Sequence, residues 1–389
     1  MTVSQSPSPI STAPVPEQAG GVLTIDLAAL AGNWRKLSSL AKGAACAAVV
    51  KADAYGIGLE PAVRALSRAG CETFFVAHLS EAIRARAVAP AATIYVLNGL
   101  LPGTAASYAE FKLRPVLGSR EEIGEWAGFC RAERPNLPAA IHVDTGMNRL
   151  GLPISEALTL ARDPVLRDFE TALLMSHLVS AEEPADPINR RQIDAFAGIR
   201  QAFPHVPASL ANSSGIFLPE NPHYDLVRPG YALYGGNPTP GRLNPMAPAV
   251  RLEGRVIQVR TVQDGETAGY NATWTARGTR KLATVSVGYA DGYPRSASNT
   301  DQTIEAQAPA GEAIVAGYRC PFAGRVSMDL TILDVTHVPD GAVNRGDLVT
   351  LIGDDLTIDN VARGAGTIGY EMLTSLGRRY ARRYLGQSD

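Results

Sequence analysis

An α/β chain, with an eight-stranded (β/α)8 barrel followed by a mostly antiparallel β domain, is the fold class this sequence predicts. Three observations predict it. From residue 43 to about 235, short apolar runs alternate with helical patterns, the signature of βαβ units around a parallel sheet. The strand-like runs number eight, which is enough to close a barrel, and the segment has a suitable length. After NPTPGRLNPMAP (237–248) the texture changes to valine- and threonine-rich runs separated by turns, with almost no helical period.

In chain order, the first twenty residues, MTVSQSPSPISTAPVPEQAG, are Ser-, Pro- and Gln-rich and predict a disordered extension over 1–20. They lack the basic start and apolar core of a signal peptide. The barrel is expected over 21–240. Its strand candidates are AAVVKA (47–52), TFFVAHL (73–79), TIYVLNG (93–99), LRPVLG (113–118), AAIHVDTG (139–146), ALLMSHL (172–178), ASLANSS (208–214) and DLVRPGYALYG (225–235). Amphipathic helices intervene, among them PAVRALSRAG (61–70), SEAIRARAVA (80–89), SREEIGEWAGFCRAER (119–134) and NRRQIDAFAGIRQAF (189–203). A doubly wound open sheet is the structural rival, but no GxGxxG follows the first strand. The β domain is expected over 241–389, with strands in VRLEGRVIQVRTV, KLATVSVGYADGY, GEAIVAGYRCPFAGRVSMDLTILDV and GDLVTLIG. A helix is expected near the end, in TSLGRRYARRYL (374–385).

The bulk properties narrow the function. The chain has 389 residues, 46% of them hydrophobic, and a net charge of −2 without a basic face, so nucleic acid is not an expected partner. The arginine-rich RRYARRYLG (378–386) reads as a solvated helix end. Cys46, Cys71, Cys130 and Cys320 share no metal-ligand or CxxC spacing and read as free thiols of a reducing, cytoplasmic compartment. No apolar run approaches the roughly 20 residues needed to span a bilayer. HVD (142–144) has no partner at metal-ligand spacing, so no metal is expected.

The chemistry gathers at one rim. Lys51 ends the first strand, and barrel active sites are built at the C-terminal ends of strands. Arg149 follows the fifth strand, His177 ends the sixth, Ser213 ends the seventh, and Arg228 and Gly230 lie in the eighth. A phosphate site after strands seven and eight fits Ser213 with the Gly230–Tyr231 backbone. A lysine amine beside a phosphate cradle suggests pyridoxal phosphate, whose aldehyde condenses with lysine to form a Schiff base. Taken singly, each residue has a blander reading, as a snorkelling lysine, a core histidine or a surface ion pair. DTG (144–146) without a second such loop does not make an aspartic protease.

The motifs VVKADAYGIG, DTGMNRLG, SHLVSAEEP, ANSSGIF, VRPGYALYG, VGYADGYPR, GRVSMDLTILDV and TIGYEMLTSLGRRY occur in order from about Leu23 to the C-terminus. Together they resemble the alanine racemases. The resemblance implies a homodimer with shared active sites that interconverts L- and D-alanine with pyridoxal 5′-phosphate, in bacteria that need D-alanine for peptidoglycan. It implies that Lys51 holds the cofactor and acts as one acid/base group, with Tyr289, from the partner subunit, as the other. Two groups on opposite faces suit a reaction that removes a proton from one face and returns it to the other. By the same resemblance Arg228 faces the ring nitrogen, and His177 links Arg228 toward Tyr289. Arg149 and the Met328 backbone hold the substrate carboxylate; Tyr55, Ser213, Gly230, Tyr231 and Tyr370 hold the phosphate.

Two positions depart from the family's pattern. Ile57 replaces a usual histidine, and His142 stands where many members carry a carbamylated lysine, so the orientation of Arg149 is left open. An unperturbed histidine there predicts weaker carboxylate binding below about pH 6.5, or lower if Arg149 depresses its pKa. Alternatives within the same chemistry are a broader-specificity racemase and a barrel-type decarboxylase; the latter calls for an acid at the ring nitrogen, where Arg228 is matched. A non-enzymatic alternative, a pyridoxal-phosphate homeostasis protein, would lack the second domain and its GYADGYPR motif.

Overall fold

The computed structural model describes residues 15–41 and 43–386, and its chain divides into two compact units, Leu27–Ala249 and the remainder. In the first unit, seven parallel strands run in sequence order: Ala48–Val49, Thr73–Val76, Thr93–Val96, Arg114–Leu117, Pro138–His142, Glu170–Met175 and Ala208–Ser209. The gap between the last and the first is filled by Leu226–Val227, which pairs in parallel with Ala45–Cys46. Backbone bonds from Asp225 to Ala208 (3.0 Å), Arg228 to Ala211 (2.9 Å) and Val49 to Pro229 (2.9 Å) complete the ring. Eight strand positions therefore close, as the alternation predicts. Phe74, Phe75, Ile94, Leu117, Ile141 and Leu174 are fully buried, which is the continuous apolar strand pattern of a sheet covered on both faces.

The last two barrel strands are shorter than their sequence patterns. ASLANSS keeps strand geometry only at Ala208–Ser209 and then turns into a 3₁₀ segment at Ser214–Phe217. DLVRPGYALYG keeps it at Leu226–Val227 and turns into a second 3₁₀ segment at Tyr231–Tyr234. These two turns carry Ser213, Gly230 and Tyr231, three of the candidate phosphate-site residues. The helix Leu27–Leu40 was not expected. Its Asn33 donates to Leu233 O (3.1 Å) and Ala247 O (2.8 Å) and accepts from Ala247 N (2.9 Å), pinning the 237–248 stretch onto the barrel. Together with Lys36 Nζ on Pro245 O (2.6 Å), this places the stretch in the barrel unit, whose boundary falls at 249 and not at the expected 240.

The second unit is a twisted sheet organised by the 13-residue strand Val250–Val262. Its first half pairs antiparallel with Gly21–Asp26 and Leu348–Ile352; its second half pairs with Arg280–Val285, which in turn pairs with Thr331–Asp334. Two expectations are corrected here. The segment 21–26 belongs to this sheet and not to the barrel. The arginine-rich tail is not a helix: Ala381–Leu385 is a strand parallel to Gly21–Asp26, with Arg383 Nη2 on Thr24 Oγ1 (3.2 Å). Its burial alternates with period two, the pattern of a sheet edge, and the helix nearest the end is Gly369–Ser375. Of the extension expected to be disordered, 1–14 lie outside the described residues. Residues 15–20 are held in place by Arg255, which donates to Pro16 O (2.9 Å) and Ala19 O (3.4 Å).

Candidate active site

In the barrel unit, the first strand ends in a turn of unusual hand. Ala52, Asp53, Ala54 and Tyr55 have φ of 54°, 55°, 53° and 53°, so the chain after Lys51 winds left-handed. Each such non-glycine residue costs about 1–2 kcal/mol, and the surroundings must hold it. Three contacts do. Gly56 N donates to Ala52 O (2.8 Å) and Leu59 N to Asp53 Oδ1 (3.1 Å). Asp53 N donates to Glu81 Oε1 (3.3 Å), while Glu81 Oε2 accepts from Ala77 N (2.9 Å) and His78 N (3.2 Å). Arg84 fastens the outside of the turn through Asp53 (2.8 Å) and Glu60 (2.7 Å).

The turn delivers Lys51 to the rim half-buried. Burial lowers the pKa of its amine, the Arg149 guanidinium lowers it further, and Glu81 opposes both. His177 is depressed to about 3, first by burial and then by Arg228, Arg149, Lys51 and His142. His142 falls to about 4 by burial and by Arg228 and Arg149, against Asp144. The structure thus gathers Lys51, Arg149 and Arg228 into one positive field, whose influence helps keep His142 and His177 uncharged. Arg149 itself is exposed on the loop after Pro138–His142, where Asp144 Oδ1 caps Gly146 N (2.7 Å) and Met147 N (2.8 Å).

Arg228 is buried to 4% exposure and lies over the Phe75 ring (5.8 Å). Its Nη1 donates to Ser209 Oγ (2.5 Å) and its Nη2 to Ser176 O (2.6 Å). Among the described residues no carboxylate pairs with it, and burial alone lowers its pKa to about 10. A buried, unpaired guanidinium with unused N–H donors calls for an external acceptor.

The phosphate candidates also converge. Ser213 Oγ accepts from Gly230 N (3.0 Å) and Ala232 N (3.3 Å). Tyr55 stacks on Tyr234 with centroids 4.5 Å apart, and its hydroxyl reaches over Gly230, where a Cβ would lie 2.4 Å from it. Tyr231 begins the 3₁₀ segment beside them. A hydroxyl-rimmed backbone cradle, an amine and an unpaired buried guanidinium match the phosphate, aldehyde and ring nitrogen of pyridoxal phosphate, so the residues present fit that cofactor.

The other expected residues, Tyr289, Met328 and Tyr370, lie in the second unit. Tyr289 opens the 3₁₀ segment Tyr289–Asp291, whose backbone is sewn to the 327–328 turn by Tyr289 N to Ser327 O (3.0 Å) and Ala290 N to Met328 O (2.9 Å). Gly288 permits this approach, because a Cβ there would sit 2.4 Å from both carbonyl oxygens. Asp291 Oδ2 accepts from Gly288 N (2.9 Å), and Arg379 bridges Asp291 (3.2 Å) and Asp329 (2.9 Å). Tyr289 and Met328 stay 41% and 54% exposed, available to a ligand or a partner. Tyr289, Tyr293, Arg295 and Glu371 border a pocket of about 440 Å³.

Two residues escaped the sequence reading. Glu81, which braces the Lys51 turn, was visible only as an acid in the first turn of SEAIRARAVA. Gln192 lies fully buried on the helix Pro187–Ala202, in a stripe with Asn189, Ile193, Phe196 and Ile199. Two amides, Asn189 and Gln192, in an otherwise apolar stripe are the signal that could have found it.

Comparison with known proteins follows the same division. The family models "Alanine racemase, N-terminal domain" and "Alanine racemase, C-terminal domain" match residues 25–238 and 249–384. An alanine racemase of Methylobacterium nodulans is 62% identical over 370 residues, covering 95% of this chain and 97% of that protein. The crystal structure of alanine racemase from Bartonella henselae with covalently bound pyridoxal phosphate is 38% identical, with a TM-score of 0.87 over 94% of this chain and 100% of that one. The biosynthetic alanine racemase of Pseudomonas aeruginosa is 34% identical, with a TM-score of 0.83 over 94% and 99%.

Proposed function

The chain belongs to the alanine racemase family, and we propose that it interconverts L- and D-alanine with pyridoxal 5′-phosphate, Lys51 and Tyr289 moving the proton on opposite faces. The observation that carries this reading is the half-buried Lys51 amine, its pKa lowered by burial and Arg149, at a rim whose other groups fit the cofactor. Bound there, pyridoxal phosphate supplies an electron sink that acidifies the α-hydrogen of an amino acid.

Each residue then has a stated task. Lys51 holds the cofactor and, as a free amine during turnover, takes or gives a proton at one face; its lowered pKa favours that free amine. Tyr289 does the same with its phenol oxygen at the other face. Ser213, Tyr55, Gly230, Tyr231 and Tyr370 hold the phosphate. Arg228, lacking an acid of its own, presents a fixed donor to the ring nitrogen, and His177 lies in its field. Because a guanidinium keeps its protons, Arg228 would leave a bound cofactor's ring nitrogen unprotonated, which would favour proton return over decarboxylation. Arg149 and the Met328 backbone orient the carboxylate. We further place Tyr289 and Met328 in the partner subunit's site, in a homodimer of the cytoplasm that supplies D-alanine for peptidoglycan. The four free, buried thiols suit a reducing compartment.

Solvent-deuterium exchange at the α-carbon tests the assignment. Tyr289→Phe is expected to bind cofactor normally and to suppress exchange from L-alanine far more than from D-alanine. Lys51→Ala is expected to lose both exchange and borohydride fixation of cofactor to the chain. Equal suppression of both enantiomers by Tyr289→Phe, or fixation mapped to another lysine, would overturn it.

A further inference from the structure

Behind the rim, one buried amide joins two segments that carry candidate site residues, the loop before Arg149 and the strand end at His177. Gln192 Nε2 donates to Thr145 Oγ1 (3.2 Å), four residues before Arg149, and to His177 O (2.9 Å). Its Oε1 accepts from Val179 N (2.9 Å). Thr145 Oγ1 in turn shares a hydrogen bond with Ser176 Oγ (2.7 Å), and Ser176 O is the acceptor for Arg228 Nη2 (2.6 Å). These partners admit one orientation of the amide: turned over, its oxygen would face the His177 carbonyl and its nitrogen the Val179 N–H. Gln192 is fully buried on the helix Pro187–Ala202, while its three partners are partly buried at the rim.

We propose that Gln192 is a positioning residue, locking the loop that carries Arg149 to the His177–Arg228 side of the rim so that Arg149 meets the substrate carboxylate in register. The inference rests on the reading of Arg149 as the carboxylate group. It supplies a physical answer to how this arginine is oriented in a chain with His142 at the position of the usual lysine. The loop has its own Asp144 turn, but that turn is internal to the loop; Gln192 and Ser176, through Thr145, connect it to the neighbouring strand end.

The test uses holoenzyme and two substrates, alanine and alaninamide, the second lacking the carboxylate charge. Gln192→Leu fills the space without the hydrogen bonds. It is expected to raise the KM for alanine about tenfold, with a smaller change in kcat, and to leave α-deuterium exchange of alaninamide within about twofold. Thr145→Val, which cuts only the link to the loop, is the second variant should Gln192→Leu not fold, and it is expected to show the same selective loss. Arg149→Ala is measured alongside. If Arg149→Ala shows no carboxylate-selective loss, the reading of Arg149 fails and the inference with it. If Arg149→Ala shows the loss while Thr145→Val and Gln192→Leu do not, or if they impair both substrates equally, Gln192 is not the positioning residue.

Discussion

Lowering the pH should unfasten the barrel unit through its two rim histidines, and His142 lets the effect be isolated. His142 and His177 titrate at about 4 and about 3 in the folded chain, because burial and the neighbouring guanidiniums disfavour their charged forms. In the unfolded chain each titrates near 6.5. Unfolding therefore takes up protons below pH 6.5, and stability present above that pH is lost as the pH falls toward the folded values. At pH 5 the unfolded histidine is almost fully protonated and the folded one is not, which costs about 2 kcal/mol for each group. The assay is urea unfolding of cofactor-free protein at pH 7.5 and pH 5, since a bound anion would raise both histidines. Wild type is expected to lose about 4 kcal/mol from the pair, and His142→Asn about 2 kcal/mol less than wild type. Catalysis reports the same displacement in direction: the KM step expected near pH 6.5 from an unperturbed histidine moves to lower pH, by less than in cofactor-free protein because the phosphate partly offsets the field. Equal acid losses in wild type and His142→Asn, or a KM step near 6.5 that His142→Asn abolishes, would refute the burial argument.

Gly230→Ala places a Cβ 2.4 Å from the Tyr55 hydroxyl and 3.4 Å from the Val49 Cβ, so Tyr55 must leave its stack on Tyr234. Overpacking of this kind costs about 1–3 kcal/mol, and cofactor affinity, titrated by absorbance, should fall about tenfold; an unchanged affinity would remove Gly230 from the cradle. Glu81→Gln removes the negative charge that opposes burial and Arg149 at Lys51, so the Lys51 amine should titrate at lower pH. Reductive methylation of cofactor-free protein, followed against pH, reads this directly, and a shift upward would sink the assignment.

The barrel was legible because its strands are buried on both faces and its helices keep a clean period, two signals that survive without tertiary information. The candidate rim was legible as far as residue types at strand ends reveal it. What escaped depended on partners distant in sequence. Nothing in KADAY dictates a left-handed turn, since alanine has no preference for positive φ; Glu81 and the Asp53–Arg84–Glu60 ion pairs impose it from outside. The boundary at 249 rests in part on Asn33, 214 positions from Ala247. The tail was misread because arginines tolerate either a helix face or a sheet edge, and only pairing with Gly21–Asp26 decides between them.

The charge pattern of the rim joins these local findings into one electrostatic argument. His177 is pushed down by four basic neighbours at once, and Arg228 sits buried without a carboxylate. Such a cluster is costly alone, because like charges in a poorly solvated site disfavour one another. The cost falls when an anion enters, so a phosphate ester and an amino-acid carboxylate are the ligands this field selects. Binding them to the folded chain alone stabilises it, by about 2.7 kcal/mol at a hundredfold excess over Kd. The same field acts on Lys51 in a second way. Arg149 joins burial in lowering its pKa, which favours the free amine, while Glu81 on the bracing helix limits how far that shift runs. If Arg149 holds the carboxylate as proposed, anion recognition and base strength at this rim share one guanidinium, and a change to Arg149 alters both.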